Sequence, residues 1–193
     1  MNFKQLYEDA CNTASDINEH LPIMLEYAKK CKHITEMGVR SGVSTRAFLY
    51  SDPDKLFSYD LYLEDDVKLY FDEAKKLGKN YQYISADVLN IEIEPTELLF
   101  IDTLHSYKQI QQELKLHADK VSKYIIFHDI VTWGVNGESW HGLNNESFWG
   151  ERNSSIGIVP AIEEFLQENP HWQKIHWYQN NNGLGIIERT GEK

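Results

Sequence analysis

The chain has 193 residues, of which 41% are hydrophobic and 25% charged, and its net charge is −11. This size and composition predict one soluble globular domain over residues 1–193. The acidic balance argues against a nucleic-acid-binding surface, and no apolar run approaches the roughly 18 residues of a membrane span. We therefore expect a cytoplasmic protein that binds neither nucleic acid nor membrane. Cys11 and Cys31 are too few for a disulfide scaffold and are expected to be reduced.

Residues 1–32 are predicted to be helical. Ser15 and Asp16 can cap a helix that begins at Ile17. We expect this segment to pack on the sheet edge or to cover a ligand site. Asp16 and His20 have two open interpretations: a helix cap and a surface histidine, or contacts with the ligand.

Residues 34–49 predict a strand, a turn through Gly38 and Gly42, and a helix that Ser44 or Thr45 can cap. A glycine-bearing turn of this kind lets backbone N–H groups and a helix N-terminus approach a ligand without an intervening side chain. The segment therefore predicts a binding loop at the end of the first strand.

The chemistry of this turn indicates a cation. Its spacing is Gly-x-x-x-Gly, which differs from the Gly-x-Gly-x-x-Gly of a dinucleotide pyrophosphate loop. Glu36, just before Gly38, would repel a phosphate and favour a positive charge. The turn therefore predicts a cofactor with a positive centre and no phosphate.

The next two predicted strands, residues 56–61 and 81–88, each carry an acid at their carboxyl end. Asp60 ends the first, and because a carboxylate is acceptor-only it could hold both hydroxyls of a ribose. Asp87 ends the second. Each acid could instead cap a turn.

Two further segments are unbroken apolar runs, typical of strands buried on both faces of a parallel sheet. The runs and the polar residues after them are Leu98–Ile101 with Asp102 and His105, and Tyr124–Phe127 with His128 and Asp129. Ligands of open α/β sheets bind outside the carboxyl ends of the strands. We therefore expect these four polar residues in a cleft.

The remaining segments are a long loop and a hairpin. Residues 133–158 contain Trp133, His141 and two other tryptophans without a clear period, which indicates a substrate lid or a loop without function. Flat rings beside Asn and His suit a carbohydrate, and exposed aromatics here also allow a homodimer. Two strands joined by Asn180–Gly183 predict a hairpin. The whole pattern predicts an α/β fold: a doubly wound, mostly parallel seven-stranded sheet with a C-terminal antiparallel hairpin.

Two motifs carry a resemblance to a known family. Glu-x-Gly-x-x-x-Gly-x-Ser, beginning at Glu36, resembles the first motif of class I S-adenosylmethionine-dependent methyltransferases. Phe100-Ile-Asp-Thr-Leu-His-Ser-Tyr and Phe127-His-Asp-Ile resemble the small-domain group of macrolide-sugar O-methyltransferases and cephalosporin-hydroxylase-like proteins. The likeness spans residues 30–190 and implies S-adenosylmethionine as cofactor. The residues implied to bind it are Glu36, Gly38, Val39, Gly42, Ser44, Thr45, Asp60, Asp87 and Asp102, with Asp87 accepting from the adenine amino group.

The resemblance also implies a metal and a base. In that group acids at the positions of Asp102, His128 and Asp129 hold Mg²⁺, and a histidine at the position of His105 removes the proton. His128 replaces an acid here, and imidazole suits a hard ion less well, so the need for Mg²⁺ stays open. Both histidines could also be structural.

These implications predict O-methylation of a sugar or other polyol, a small-molecule or glycan acceptor. His105 and Asp102 would be catalytic, and His105, Trp133 and His141 would face the acceptor. Two alternatives remain: a catalytically inactive S-adenosylmethionine-binding protein, and a metal-assisted hydrolase that uses the Asp/His cluster.

Overall fold

A seven-stranded mixed sheet forms the centre of the molecule. The computed structural model describes residues 1–138, 150, 152 and 154–191. The strands are β1 His33–Met37, β2 Lys55–Asp60, β3 Asn80–Ser85, β4 Thr96–Ile101, β5 Val121–His128, β6 Trp172–Tyr178 and β7 Leu184–Arg189. Their order is β3-β2-β1-β4-β5-β7-β6, parallel from β3 to β5 and antiparallel through β7 and β6. The predicted fold class is confirmed.

Helices cover both faces of the sheet. They are α1 Phe3–Asn12, α2 Leu21–Ala28, α3 Val43–Ser51, α4 Asp65–Lys76, α5 Tyr107–His117 and α6 Ile158–Glu168. The first four pack in one hydrophobic cluster, and α5 and α6 pack in a second cluster on the opposite face. No helix within the described ranges is long and apolar enough to cross a membrane.

The central strands explain why the sheet is buried on both sides. In β4, Leu98 and Phe100 belong to the first cluster and Leu99 to the second, and all three are fully buried. In β5, Ile126 and Phe127 divide between the two clusters in the same way. Each such side chain contributes about 1.5–3 kcal/mol on burial, so an unbroken apolar run is the sequence that this position requires.

The N-terminal segment differs from the single helix expected from Ile17 onward. A short 3₁₀ turn, Asn18–His20, precedes α2, and the Ser15 hydroxyl accepts from the backbone N–H groups of Ile17 and Asn18. His20 is 2% exposed, so its interpretation as a surface residue is wrong. Its Nε2 lies 2.9 Å from the Asn180 carbonyl oxygen, which satisfies the ring in the interior.

The predicted hairpin turn is confirmed, and it returns to the end of β5. Asn181, Asn182 and Gly183 have φ angles of 45°, 67° and 92°, a left-handed run that Asn and Gly tolerate. The Asn182 carbonyl accepts from the backbone N–H of Val131, three residues beyond β5. The turn therefore lies beside the carboxyl end of β5.

Candidate cofactor and metal site

A cavity of about 320 Å³ opens at the carboxyl ends of the parallel strands. Its volume falls within the roughly 300–1,000 Å³ of small-molecule sites. The predicted site residues that line it are Gly38, Val39, Ser44, Asp60, Asp87, Asp102, His105 and Asp129. The loops after five neighbouring strands thus converge on one space, as the sequence predicted.

Gly38 allows the first loop and the loop after β4 to touch. Its φ is 86°, and a Cβ at this position would lie 1.9 Å from the Asp102 carbonyl oxygen. The backbone N–H of Asp102 donates to the Met37 carbonyl at 2.9 Å, which fixes this approach. Only glycine fits both the left-handed conformation and the close contact.

Asp60 organises the glycine turn. Its Oδ2 accepts from the backbone N–H groups of Val39 at 2.7 Å and Arg40 at 2.9 Å, and its Oδ1 accepts from Leu61 at 2.6 Å. The expectation that these N–H groups face a ligand is therefore wrong for Val39 and Arg40. A carboxylate offers about four acceptor positions, so Asp60 retains room for about one ribose hydroxyl rather than two.

Glu36 lies beneath the turn and is fully buried. It accepts hydrogen bonds from three hydroxyls, those of Ser58 at 2.6 Å, Ser44 at 2.7 Å and Thr45 at 3.0 Å. Burial raises the pKa of the Glu36 carboxyl to about 7, although the three hydroxyl donors act to lower it. Glu36 therefore ties β1, β2 and α3 together below the cavity and is not part of its lining.

The start of α3 corrects the predicted helix cap. The N-cap residue is Gly42, in a left-handed conformation with φ of 71°, and no side chain caps the helix. Ser44 and Thr45 lie inside the first turn, where their hydroxyls donate to Glu36 instead. Hydrogen bonds to an ionised carboxylate are stronger than hydrogen bonds between neutral groups. The contact with Glu36 therefore favours this position of the two hydroxyls over a role as helix cap.

Asp87 caps a turn, as one of its two interpretations predicted, and it also lines the cavity. It accepts from the Leu89 backbone N–H at 3.1 Å and from Asn90 Nδ2 at 2.9 Å. Arg152 approaches the same carboxylate at 2.7 Å, and both side chains are largely buried. The Arg152 guanidinium and Asp87 thus form one wall of the cavity.

His105 is surrounded by carboxylates. Its Nε2 lies 3.1 Å from Asp102 Oδ1 and 3.2 Å from Asp129 Oδ2, and its Nδ1 lies 2.9 Å from Glu138 Oε2. Burial lowers the pKa of His105, but the carboxylates outweigh burial and raise it to about 10. In this arrangement both ring nitrogens donate, so His105 is a proton donor rather than a base. The ring also stacks on Trp133 at 6.5 Å.

His128 is held from behind by backbone carbonyls. It is 1% exposed, and its Nε2 lies 3.0 Å from the Asp16 carbonyl oxygen. A carbonyl only accepts, so Nε2 carries the hydrogen. Nδ1 faces Asp129 Oδ2 at 3.1 Å and Asp102 Oδ2 at 3.5 Å. Burial lowers the pKa of His128, but these two acids outweigh it and raise the pKa to about 10.

The same histidines act on Asp102. Burial alone would raise its pKa, but hydrogen bonds from His105 and His128 outweigh burial and hold the pKa of Asp102 well below its usual range. Asp102 is therefore held in its ionised form near neutral pH.

The end of β5 has two features that are typical of a ligand site. Asp129 has a φ of 61° and is 5% exposed, and its Oδ1 is buried without a hydrogen-bond partner. His128 Nδ1 also lacks a well-directed hydrogen bond, although a carboxylate oxygen lies 3.1 Å away. One ligand atom each from Asp102, His128 and Asp129 lie within 4.8 Å of one another. These donors fit a divalent cation.

Some site residues were not predicted, and some predictions fall outside the described ranges. Arg40, Gln109, Glu138 and Arg152 line the cavity. Arg40 stands inside the glycine motif, whereas the other three follow no local pattern. His141 lies outside the described residues. Trp133 is described and contacts His105 rather than lining the cavity.

No protein-family model and no curated protein matches the sequence. Solved structures do match. A candidate O-methyltransferase from Klebsiella pneumoniae is 15% identical over 98% of this chain and 90% of that chain, with a TM-score of 0.64. The N-methyltransferase NodS from Bradyrhizobium japonicum WM9, solved with S-adenosyl-L-homocysteine, is 13% identical over 99% and 100% of the two chains, with a TM-score of 0.61.

Magnesium protoporphyrin IX methyltransferase from Synechocystis PCC 6803, solved with bound S-adenosylhomocysteine, is 9% identical over 96% of this chain and 93% of that chain, with a TM-score of 0.61. Identities this low establish the fold alone. The chain therefore has the Rossmann-like fold that class I S-adenosylmethionine-dependent methyltransferases share.

Proposed function

We propose that the chain is an S-adenosylmethionine-dependent methyltransferase that acts on a hydroxyl of a sugar or other polyol. The observation that carries this proposal is the cavity itself, where a glycine turn after β1 and acids after β2, β3 and β4 meet. Solved proteins with this fold bind S-adenosylhomocysteine. The metal-assisted hydrolase is less favoured because it gives the glycine turn and Asp60 no role.

The charges of the cavity suit a sulfonium cofactor. Carboxylates that line it include Asp60, Asp87 and Asp102, against the guanidinium groups of Arg40 and Arg152. S-adenosylmethionine would supply an activated methyl group on a positive sulfur. Asp60 would accept from one ribose hydroxyl at its remaining position, and Asp87 would face the adenine, as the family resemblance implies. Glu36 would act indirectly, by holding the turn.

The acceptor would approach from the β4–β5 side of the cavity. A sugar hydroxyl is a poor nucleophile at neutral pH, so the site must align it and help remove its proton. Asp102 and Asp129 line this part of the cavity and can orient the hydroxyl by accepting its hydrogen. His128, Asp102 and Asp129 would hold a divalent cation, which when bound would lower the pKa of a neighbouring hydroxyl.

His105 is the candidate base, and its surroundings set a condition on that role. Asp102, Glu138 and Asp129 are what raise its pKa to about 10. Neutralisation of Asp102 and Asp129 by another cation would lower that pKa, and Nε2 could then accept the proton of the acceptor. Glu138, 2.9 Å from Nδ1, would hold the ring in place throughout.

A catalytically inactive binding protein is the second candidate, and one observation favours it. Both nitrogens of His105 are engaged by carboxylates, which leaves no proton acceptor unless the cluster rearranges. Cofactor binding without turnover would be the signature of this alternative.

A methyl-transfer assay separates the two candidates. The chain is incubated with radiolabelled S-adenosylmethionine, a panel of sugars and polyols, and Mg²⁺ or Mn²⁺. We expect transfer to at least one acceptor, and a loss of roughly 10²–10⁴-fold in His105→Ala with cofactor affinity nearly unchanged. His176→Ala, at an exposed histidine of β6, is the matched control. Equal turnover in both variants would refute the role of His105, and no turnover with any acceptor would favour the binding protein.

A further inference from the structure

We propose that Asp102, His128 and Asp129 form a three-ligand site selective for a borderline divalent transition ion, such as Mn²⁺, Co²⁺ or Zn²⁺, over Mg²⁺. The site lies where Asp102 and Asp129 line the same cavity, which we call the ion-cluster side. Its test measures ion binding rather than methyl transfer, so this inference and the proposed function can fail independently.

The three donor side chains lie close together and are buried or half-buried. One ligand atom from each of the three side chains lies within 4.8 Å of the other two, which is close enough for one ion to contact all three. Asp129 is 5% exposed and His128 is 1% exposed. Asp129 Oδ1 is buried without a hydrogen-bond partner, and His128 Nδ1 faces only the carboxylates of Asp102 and Asp129, at 3.5 and 3.1 Å. Buried polar atoms are rarely left unpaired, so a bound ion is the natural partner of Asp129 Oδ1.

A backbone carbonyl fixes the orientation of the His128 imidazole. His128 Nε2 donates to the Asp16 carbonyl at 3.0 Å, which leaves Nδ1 toward the two carboxylates. Histidines that bind metals almost always donate their other ring N–H to a carbonyl or carboxylate, which fixes the tautomer and ring orientation. His128 has this arrangement.

The support behind His128 is itself fixed. Asn181 Nδ2 donates to the Ser15 carbonyl at 2.8 Å, and Asn181 Oδ1 accepts from the Glu19 backbone N–H at 3.0 Å. These bonds hold both sides of the segment that contains Asp16. The hairpin turn therefore fixes the carbonyl that orients His128.

The backbone at Asp129 has a left-handed conformation. A φ of 61° is uncommon for aspartate, and the Asp129 carbonyl accepts from the Trp133 N–H at 3.0 Å. Left-handed strain at a non-glycine residue persists only where the surroundings impose it, and it is common at ligand sites. This conformation brings the Asp129 carboxylate beside the Nδ1 of its own neighbour.

The ligand atoms determine which divalent ion the site prefers. Mg²⁺ prefers oxygen ligands and retains several waters, and it gains little from an imidazole, whose Nδ1 must also release its proton before any ion can bind. Imidazole suits first-row transition ions, and carboxylates suit Mn²⁺ as well. Two carboxylates with one imidazole therefore predict tighter binding of Mn²⁺, Co²⁺ or Zn²⁺ than of Mg²⁺.

The test uses the full chain with Mn²⁺ as the probe. Paramagnetic resonance of free Mn²⁺ measures binding and its competition by Mg²⁺, and spin-echo spectroscopy of bound Mn²⁺ reports coupling to a ligand nitrogen. We expect Mn²⁺ to bind at least tenfold more tightly than Mg²⁺, with nitrogen coupling from one imidazole. This measurement on the unaltered chain does not depend on whether a variant folds.

His128→Asp sharpens the result by converting the site to oxygen ligands only. We expect the nitrogen coupling to vanish and the preference for Mn²⁺ over Mg²⁺ to fall severalfold, whereas His176→Ala should behave as the unaltered chain. Equal affinity for the two ions, no nitrogen coupling, or no binding of either ion would overturn the proposal.

Discussion

The two sides of the cavity differ in how completely their polar groups are satisfied. On the glycine-turn side, both oxygens of Glu36 and both oxygens of Asp60 accept hydrogen bonds from the protein. On the ion-cluster side, Asp129 Oδ1 is buried without a hydrogen-bond partner, and His128 Nδ1 faces only carboxylate oxygens, at 3.1 and 3.5 Å. The protein therefore holds the carboxylates of the first side in place before any ligand binds. The second side would be completed by the cation that we propose there.

The difference predicts where substitutions are most damaging. The glycine-turn side is a connected network, so a change there should reduce both stability and cofactor binding. The ion-cluster side is a collection of compensating charges, so a change there should alter ion binding more than the free energy of unfolding.

Gly38→Ala should have the largest effect. Its Cβ would lie 1.9 Å from the Asp102 carbonyl oxygen, at a φ of 86°. Overpacking and left-handed strain together should lower the free energy of unfolding by about 3–5 kcal/mol, and cofactor binding should be lost. Gly78→Ala is the control, since Gly78 also has a positive φ of 71° but a Cβ there meets nothing within 4 Å. It should cost about 1 kcal/mol. Similar urea midpoints for the two variants would contradict the close-contact account.

The pH dependence of stability should reveal Glu36. Burial raises its pKa from 4.5 to about 7, so the folded chain binds this proton more tightly than the unfolded chain does. The free energy of unfolding should therefore fall as the pH rises from about 4.5 to about 7, by up to about 3 kcal/mol from this group. Glu113, also buried with a pKa of about 7, adds a fall of the same sign.

Glu36→Gln isolates the contribution of Glu36, because the amide cannot ionise and retains an acceptor for the hydroxyls. Urea denaturation at pH 5 and pH 8 should show a fall in stability that is smaller in the variant by about 3 kcal/mol. An identical fall in both proteins would mean that Glu36 does not titrate in this range.

Asp60→Asn should have an intermediate effect. The amide has one acceptor oxygen, and its NH₂ group would face the N–H donors of Val39 and Arg40. We expect a loss of about 2 kcal/mol in stability and at least a tenfold weaker affinity for S-adenosylhomocysteine by calorimetry. Asp54→Asn, at an exposed acid before β2, should change neither quantity. If Asp60→Asn retained full affinity, the ribose role of Asp60 would be wrong.

Asp16→Ala should have the smallest effect. The Asp16 carboxylate pairs with Arg40 at 2.7 Å, but the Arg40 side chain is 69% exposed. An exposed pair of this kind contributes roughly 0–1 kcal/mol, and the Asp16 backbone carbonyl that orients His128 remains. Thermal unfolding should shift by no more than a few degrees, and it should depend slightly less on salt in the variant than in the unaltered chain. A larger loss of thermal stability would show that this ion pair contributes more than its exposure indicates.

The sequence predicted the features of the fold and the site that depend on a local pattern of residues. The apolar runs of β4 and β5 predicted buried parallel strands, and their polar ends predicted that Asp102, His105, His128 and Asp129 meet. These features follow from strand burial and from the common direction of parallel strands, so one segment at a time is enough to recognise them.

The features that the sequence did not predict depend on contacts between distant segments. The role of Glu36 requires the register that places it beside Ser58 across β1 and β2, and no local pattern indicates this register. Ser44 and Thr45 have the composition of a helix cap, but Glu36 competes successfully for their hydroxyls. His20 resembles a surface histidine until the hairpin turn, at Asn180, supplies a carbonyl for its ring.

Calorimetric titration of S-adenosylhomocysteine into the unaltered chain tests the central claim most directly, that the cavity over the glycine turn binds a sulfonium cofactor. The account predicts saturable binding at one site per chain, abolished by Gly38→Ala and retained by Gly78→Ala. Absence of binding to the unaltered, folded chain would contradict the account, whatever ions or acceptors the other side of the cavity proves to hold.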